Sequence, residues 1–268
     1  MKRIVKNPPP QSLIDYTSVA PNSTWEQMRN DGINNGYTAY QDCRAQAVKD
    51  QKGLCAYCEQ VISIDDPLRC SIEHFHPKSD QDESHNWALD WNNIFAVCDG
   101  GSRSTSEEQH INPLPQNLSC DAHKSHMMHI NKLPVSCEGY LINPLDMPAF
   151  PNLFAFNKGT GFYEPNETTC AMTEIPGNEL NTTVELVENT ISTLNLNCNR
   201  LATMRRMLVI NIDQNIKQLR KKNYTPAEVP AKLIDRYFIN KIPEFFTSLR
   251  CCLGETAENY LESINYDG

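Results

Sequence analysis

Apolar positions recur at helical spacing in two parts of the chain and follow a looser pattern between them. Tyr37, Tyr40, Arg44 and Val48 fall near a 3.6-residue period and predict a helix from Tyr37 to about Lys52, which Gly53 is placed to end. Beyond Asn181, Val184, Val187, Ile191 and Leu194, then Leu201, Met204, Leu208, Ile212, Ile216 and Leu219, predict two helices interrupted at 195–199. Two more are expected after Tyr224-Thr-Pro226 and near 256–264. Between these regions, Val61–Ile64, a turn at Asp65-Asp-Pro67 and Cys70–Ile72 read as a hairpin that leaves Glu73 and His74 at a strand end. The run Leu89–Cys98 reads as a helix packed under that hairpin.

The polar stretches complete the outline. Residues 1–24, rich in Pro, Asn and Ser, are expected to form an extended arm whose fate depends on a partner. Residues 99–119 read as an inserted surface loop, and 134–180 as loops with short strands. Three parts result: an arm over 1–24, a domain over 25–133, and a linker with a helical region over 134–268. At 268 residues a proper hydrophobic core is affordable. No run approaches a membrane span and the start lacks a signal peptide's apolar region, so a cytoplasmic location with no membrane association is expected.

Chemistry is concentrated in one segment. All seven histidines lie between His74 and His129. The eleven cysteines include Cys55-Ala-Tyr-Cys58, which suits a metal knuckle in a reducing compartment better than a disulfide framework. A Cys-x-x-Cys turn offers two ligands of a tetrahedral zinc site, and Cys98 and Cys120 are the choice for the other two, with His110 or His123 as rivals. Bridging the ~20-residue insertion costs only roughly 2 kcal/mol of loop entropy, well below the ~10 kcal/mol or more that structural zinc supplies. His74 is a candidate general base and Glu73 a candidate ligand for a hard divalent cation. Adjacent on extended backbone, the two point to opposite faces, so a strand end must kink for both to reach one phosphate.

Charge modifies this reading. The formal net charge is −9, with 13 Lys and Arg against 23 Asp and Glu in residues 1–180 and 11 against 10 thereafter. Such a chain binds nucleic acid weakly by itself, and a basic partner or divalent metal has to supply positive charge. Arg200, Arg205, Arg206, Lys217, Arg220, Lys221 and Lys222 read first as a solvated helix face.

Taken together, Cys55-x-x-Cys58, Glu73-His74-Phe-x-Pro77-Lys78-Ser79, Trp91-Asn92-Asn93, Cys98 and Cys120-Asp121-Ala-His123-Lys124 resemble the HNH endonuclease superfamily. More narrowly they resemble PtuB, the HNH effector paired with the ATPase PtuA in Septu and retron antiphage systems. Ile142-Asn-Pro-Leu145, Phe156-Asn-Lys-Gly159 and Thr190–Asn197 with Leu201 and Arg205 are similar to that family's later segments. The resemblance implies an α+β, mainly helical fold: a ββα-metal (HNH) core with a structural zinc knuckle, followed by a C-terminal helical region. It implies that His74 activates water, that Glu73 replaces the usual Asp as ligand of catalytic Mg or Mn, and that Asn93 supports the loop holding the base. Asp121 falls where the third motif residue, usually Asn or His, is found, with His123 as its rival. Lys78 and Lys124 are candidate phosphate contacts.

The function implied is a metal-dependent endonuclease hydrolysing DNA, or RNA such as tRNA, in an antiphage complex. Its implied partners are a PtuA-like ATPase and, further, a retron reverse transcriptase with its RNA-DNA hybrid. The competing class is a catalytically inactive zinc-binding scaffold or adaptor, favoured by the acidic balance and by Asp121.

Overall fold

A computed structural model describes residues 1–80, 84–130, 132–133, 136–239 and 241–268. The expected boundary at 133/134 touches residue 134, which lies outside the described residues. The chain opens with helices α1 (Gln11–Val19), α2 (Trp25–Asn30) and α3 (Gly36–Asp50). Thr24 and Gln27 form a reciprocal capping box at the start of α2, satisfying two backbone donors that the helix leaves open. Both α1 and α2 pack on α3, which in turn packs on the central sheet.

That sheet corrects two sequence expectations. Strand β1 (Cys70–His74) pairs antiparallel with β2 (Ile94–Cys98), in register from Cys70 opposite Cys98 to His74 opposite Ile94. Val61–Ile64 is therefore not the hairpin partner, and contributes only one isolated bridge between Leu54 and Val61. The run read as a helix, Leu89–Cys98, instead holds a single 3-10 turn at Trp91–Asn93 followed by β2. All five residues of β2 are buried. A strand covered on both faces has no polar alternation, so its pattern resembles that of a buried helix. Burying Ile94, Phe95 and Val97 contributes about 2 kcal/mol each, which outweighs any local preference.

Residues 99–119 run mostly over the surface, with Asn117 and Ser119 buried at their end, and hold one short helix, α4 (Ser106–Ile111), none of whose residues is buried. Gly100 lets the insertion close at its base: its φ is +61°, and a Cβ there would lie 2.3 Å from the Ser119 carbonyl oxygen. Helix α5 (Cys120–His129) then packs against β2. The hairpin β3 (Phe154–Asn157) and β4 (Phe162–Pro165) fulfils the expectation of short strands. It is followed by α6 (Glu167–Ala171), α7 (Thr183–Thr193), α8 (Asn199–Lys221), α9 (Val229–Tyr237), α10 (Phe246–Leu253) and α11 (Glu255–Ser263). The α7/α8 break falls where expected, while α10 is one helix more than the pattern suggested.

Residues 1–24 are not an extended arm. Met1, Ile4, Leu13 and Tyr16 are buried in the same apolar cluster as β2, α3 and α7. The Lys6 ammonium donates to the Trp91 and Ile94 carbonyls and lies 4.2 Å from the Trp91 ring centroid. The segment is thus part of the core that fixes the turn before β2. No helix among the described residues is long and apolar enough to cross a membrane.

Candidate active site and metal centre

Three elements bring Cys55, Cys58, Cys98 and Cys120 together. The turn after α3 supplies the first two, β2 ends on the third and α5 begins on the fourth. All four are buried, and their sulfurs lie within 4.8 Å of one another. The Sγ–Sγ separations are 3.9 Å for Cys55–Cys120, 3.6 Å for Cys58–Cys98 and 3.8 Å for Cys98–Cys120. Sulfurs about 2.3 Å from a central zinc form a tetrahedron with edges of about 3.8 Å, so this cluster has the dimensions of a structural site and is far too open for disulfides. Burial pushes the Cys58 and Cys120 thiols well above the usual range, a cost that a bound divalent cation removes by taking them as thiolates. The residues therefore fit a structural metal, and neither His110 nor His123 belongs to the cluster.

The surroundings hold the ligands in place. Gln51 donates to the Leu54 and Ala96 carbonyls at 2.8 and 2.6 Å and accepts from the Ala96 amide at 2.8 Å, tying the knuckle to β2. Glu59 accepts from the Thr247 amide at 2.8 Å and hydroxyl at 2.6 Å, fastening the knuckle to α10. Cys120 has a φ of +56°, a conformation that costs a non-glycine residue about 1–2 kcal/mol. Its amide donates to Leu194 at 2.8 Å, so the α7/α8 turn holds the strained ligand. Arg200, read in sequence as part of a solvated face, instead donates to Gln60 at 2.9 Å and Ser119 at 2.7 Å beside the cluster. Burial opposes its charge, but the sulfurs of Cys198, Cys58, Cys98 and Cys120 hold the guanidinium above its ordinary range. Four thiolates around a divalent cation would carry a net charge of −2, half of which Arg200 would offset. Arg205 also leaves the expected face: it is fully buried, 4.0 Å from the Tyr163 ring centroid.

A second site adjoins the first. Glu73, His74, Lys78, Asp121 and Lys124 line a recess of about 340 Å³ between the end of β1 and α5. Asp121, Lys124, Ser125 and Met128 reach it because residues three and four apart share a helix face. Glu73 and His74 both line it despite their opposite pleat directions, as β1 ends there.

The His74 ring is buried between Trp25, at 4.9 Å between centroids, and the Ala88 carbonyl, 3.1 Å from Nε2. A carbonyl can only accept, so Nε2 carries the proton and Nδ1 keeps its lone pair, which no described residue claims. Burial pushes the imidazole down to about 4, keeping it neutral at physiological pH. Asn93 fixes the loop that presents Ala88. It accepts from the His76 amide at 2.6 Å and donates to the carbonyls of His76 at 3.0 Å and Trp87 at 2.8 Å.

Glu73 is buried and ion-paired with Lys124. Burial, and then the neighbouring Asp121, push the Glu73 carboxyl well above the usual carboxylate range. Two carboxyls this close, with a lysine as their cation, are a donor pair suited to a hard divalent ion that retains waters at its other positions. Lys124 therefore sits in the recess as the partner of Glu73, and Lys78 pairs with Glu26 at its edge. His123 points elsewhere, its Nδ1 lying 2.9 Å from the Thr193 carbonyl oxygen. His76 bridges Glu138 at 2.5 Å and Asp80 at 2.9 Å and stacks on Trp87. Trp25, Ala88 and Arg200 were missed because nothing near them in the chain marks their roles.

The chain is 37% identical over 228 residues to the Escherichia coli protein named "Retron Ec83 putative HNH endonuclease", covering 82% of this chain and 85% of that one. This chain belongs to the HNH endonuclease superfamily. No family model matches it.

Proposed function

We propose that this HNH protein is a metal-dependent endonuclease acting as the effector of a retron-linked antiphage system. The observation that carries the reading is the state of His74: a buried neutral imidazole, its Nε2 proton committed to Ala88 and its Nδ1 lone pair left for a water in the recess. In this reading β1, β2 and α5 form the ββα-metal core. His74 takes a proton from the attacking water at Nδ1. Glu73 and Asp121 hold the catalytic divalent cation, Mg or Mn, which when bound neutralises charge developing on the scissile phosphate. Asn93 keeps the base in position, and the four-cysteine site carries zinc. Lys78, and Lys124 once released from Glu73, contact substrate phosphates. The retron assignment of the relative supports a defence setting, in which a PtuA-like ATPase, with a retron reverse transcriptase and its RNA-DNA hybrid, positions the target and supplies the positive charge this acidic chain lacks.

The test is cleavage of plasmid DNA, single-stranded DNA and total RNA with Mg²⁺ or Mn²⁺ by the chain copurified with its ATPase partner, beside a His74→Ala version. Cutting that disappears in the variant is the expected result. The scaffold reading is favoured by one observation, the Glu73–Lys124 ion pair that fills the donor position from within. Absence of cutting by either version, with the complex intact, would make it the better account.

A further inference from the structure

Beside the recess of His74 lies a groove of about 460 Å³. The two adjoin, since Ile72 and Lys78 line both. Within a chain of net charge −9, this groove gathers Arg29, Arg44, Arg103 and Lys78 around a single acid, Glu26, which is already paired with Lys78. Among the described residues, none forms an ion pair with Arg29, Arg44 or Arg103. Arg44 is the most telling of them. It is 9% exposed, donates no hydrogen bond to a described residue, and has only the Tyr40 ring, 5.6 Å away, under its guanidinium. Its guanidinium lines the groove with its nitrogens open to solvent and no carboxylate on them, which leaves them free to take an anion.

The aromatic residues have an order. His74 packs edge-on against Trp25, and Trp25 against Tyr40 at 5.4 Å between centroids. Arg29 lies 5.4 Å from the Tyr40 centroid, and beyond Tyr40 stands Tyr37, 55% exposed. Cations interleaved with an exposed ring, leading to a candidate water-activating histidine, suit a chain that carries both phosphates and unstacked bases. A groove of this volume is of small-ligand size and cannot admit a duplex.

We infer that the groove seats an unpaired stretch of nucleic-acid strand and feeds it to the His74 recess. Arg29, Arg44 and Arg103 take phosphates, and Tyr37 offers its ring to a base. The inference rests on the nuclease reading for its direction but makes a separate claim about binding.

It is tested on the full chain assembled with its partner, carrying His74→Ala so that probes survive. Fluorescence anisotropy follows labelled oligothymidylate, oligouridylate and a duplex of equal length across a salt series. Arg29→Gln with Arg103→Gln, both exposed and away from the core, should weaken single-strand binding and flatten the slope of log K against log salt by about 1.4, since each lost phosphate contact removes about 0.7. Tyr37→Ala should weaken it about tenfold at every salt concentration, the loss expected of one stacked base. Unchanged single-strand affinity and slope would overturn the inference. So would an equal loss for the duplex, or displacement of the strand by polyglutamate at equal charge, which would mark the groove as a seat for an acidic protein surface. The same substitutions in the His74 background separate the two claims. His74-dependent cutting with groove variants that bind normally sinks the groove alone, and groove-dependent binding without such cutting sinks the nuclease reading alone.

Discussion

Replacing Asn93 with alanine isolates the link between the loop that presents the base and the base itself. Asn93 is 4% exposed and its amide makes three bonds across that loop, one from the His76 amide and two to the carbonyls of His76 and Trp87. Each is worth about 1 kcal/mol net, and partners left buried cost more than those that reach water, so a loss of about 3 kcal/mol is expected. That is a large fraction of the ~5–15 kcal/mol typical of a folded domain. Trp87 immediately precedes Ala88, the acceptor that sets the His74 tautomer, so a loosened loop frees the imidazole to rotate. Urea unfolding gives the stability, and single-turnover cleavage of a labelled strand gives the chemical step. Cleavage should slow about tenfold or more under conditions where the variant is fully folded, with substrate affinity unchanged. Asn93→Asp preserves the bond from His76 but loses both donors, so it should not restore the rate. A variant that loses stability yet cuts at the normal rate per folded molecule would refute the proposed coupling.

Cys58→Ser should lose the structural metal, measured as bound zinc per chain by elemental mass spectrometry, together with most of the soluble yield, because structural zinc supplies on the order of 10 kcal/mol of folding energy; full retention of zinc would reject the four-cysteine assignment. The His74 imidazole, pushed from 6.5 to about 4 by burial, binds its proton later in the folded chain than in the unfolded one. Stability from this group is therefore present above pH 6.5 and lost as pH falls from 6.5 towards 4, by about 3 kcal/mol. The urea midpoint of His74→Gln should fall less than that of the unaltered chain over this window, and parallel curves would contradict the burial argument. Deleting residues 1–20 should yield insoluble or unfolded protein, since it strips Met1, Ile4, Leu13 and Tyr16 from the core; a soluble product with a normal circular dichroism spectrum would show the segment to be dispensable.

The site was more legible in the sequence than the fold around it. Cys55 and Cys58 declare themselves because two ligands on one turn need only short-range spacing, and His74 stands out beside Glu73 at a strand end. The helices α3, α7 and α8 followed from their apolar period, which a helix imposes on neighbours three and four residues apart. Residues 1–24 misled because their Pro and Asn content describes how the chain enters its helices, while their burial depends on surfaces distant in sequence.

Spacing could not choose the partner of Cys70–His74, since Val61–Ile64 and Ile94–Cys98 are both apolar runs of strand length. Tertiary structure chose Ile94–Cys98, which α3 and α5 cover and whose pairing delivers Cys98 beside Cys58. It also put Asp121 rather than His123 in the recess, because helical phase turns Asp121 towards Glu73 while Thr193 holds His123 away. The sequence by itself determined which chemistry is present, for side-chain type is local. Only the folded chain decided which groups face one another, because pairing across a long separation is set by the apolar area it buries.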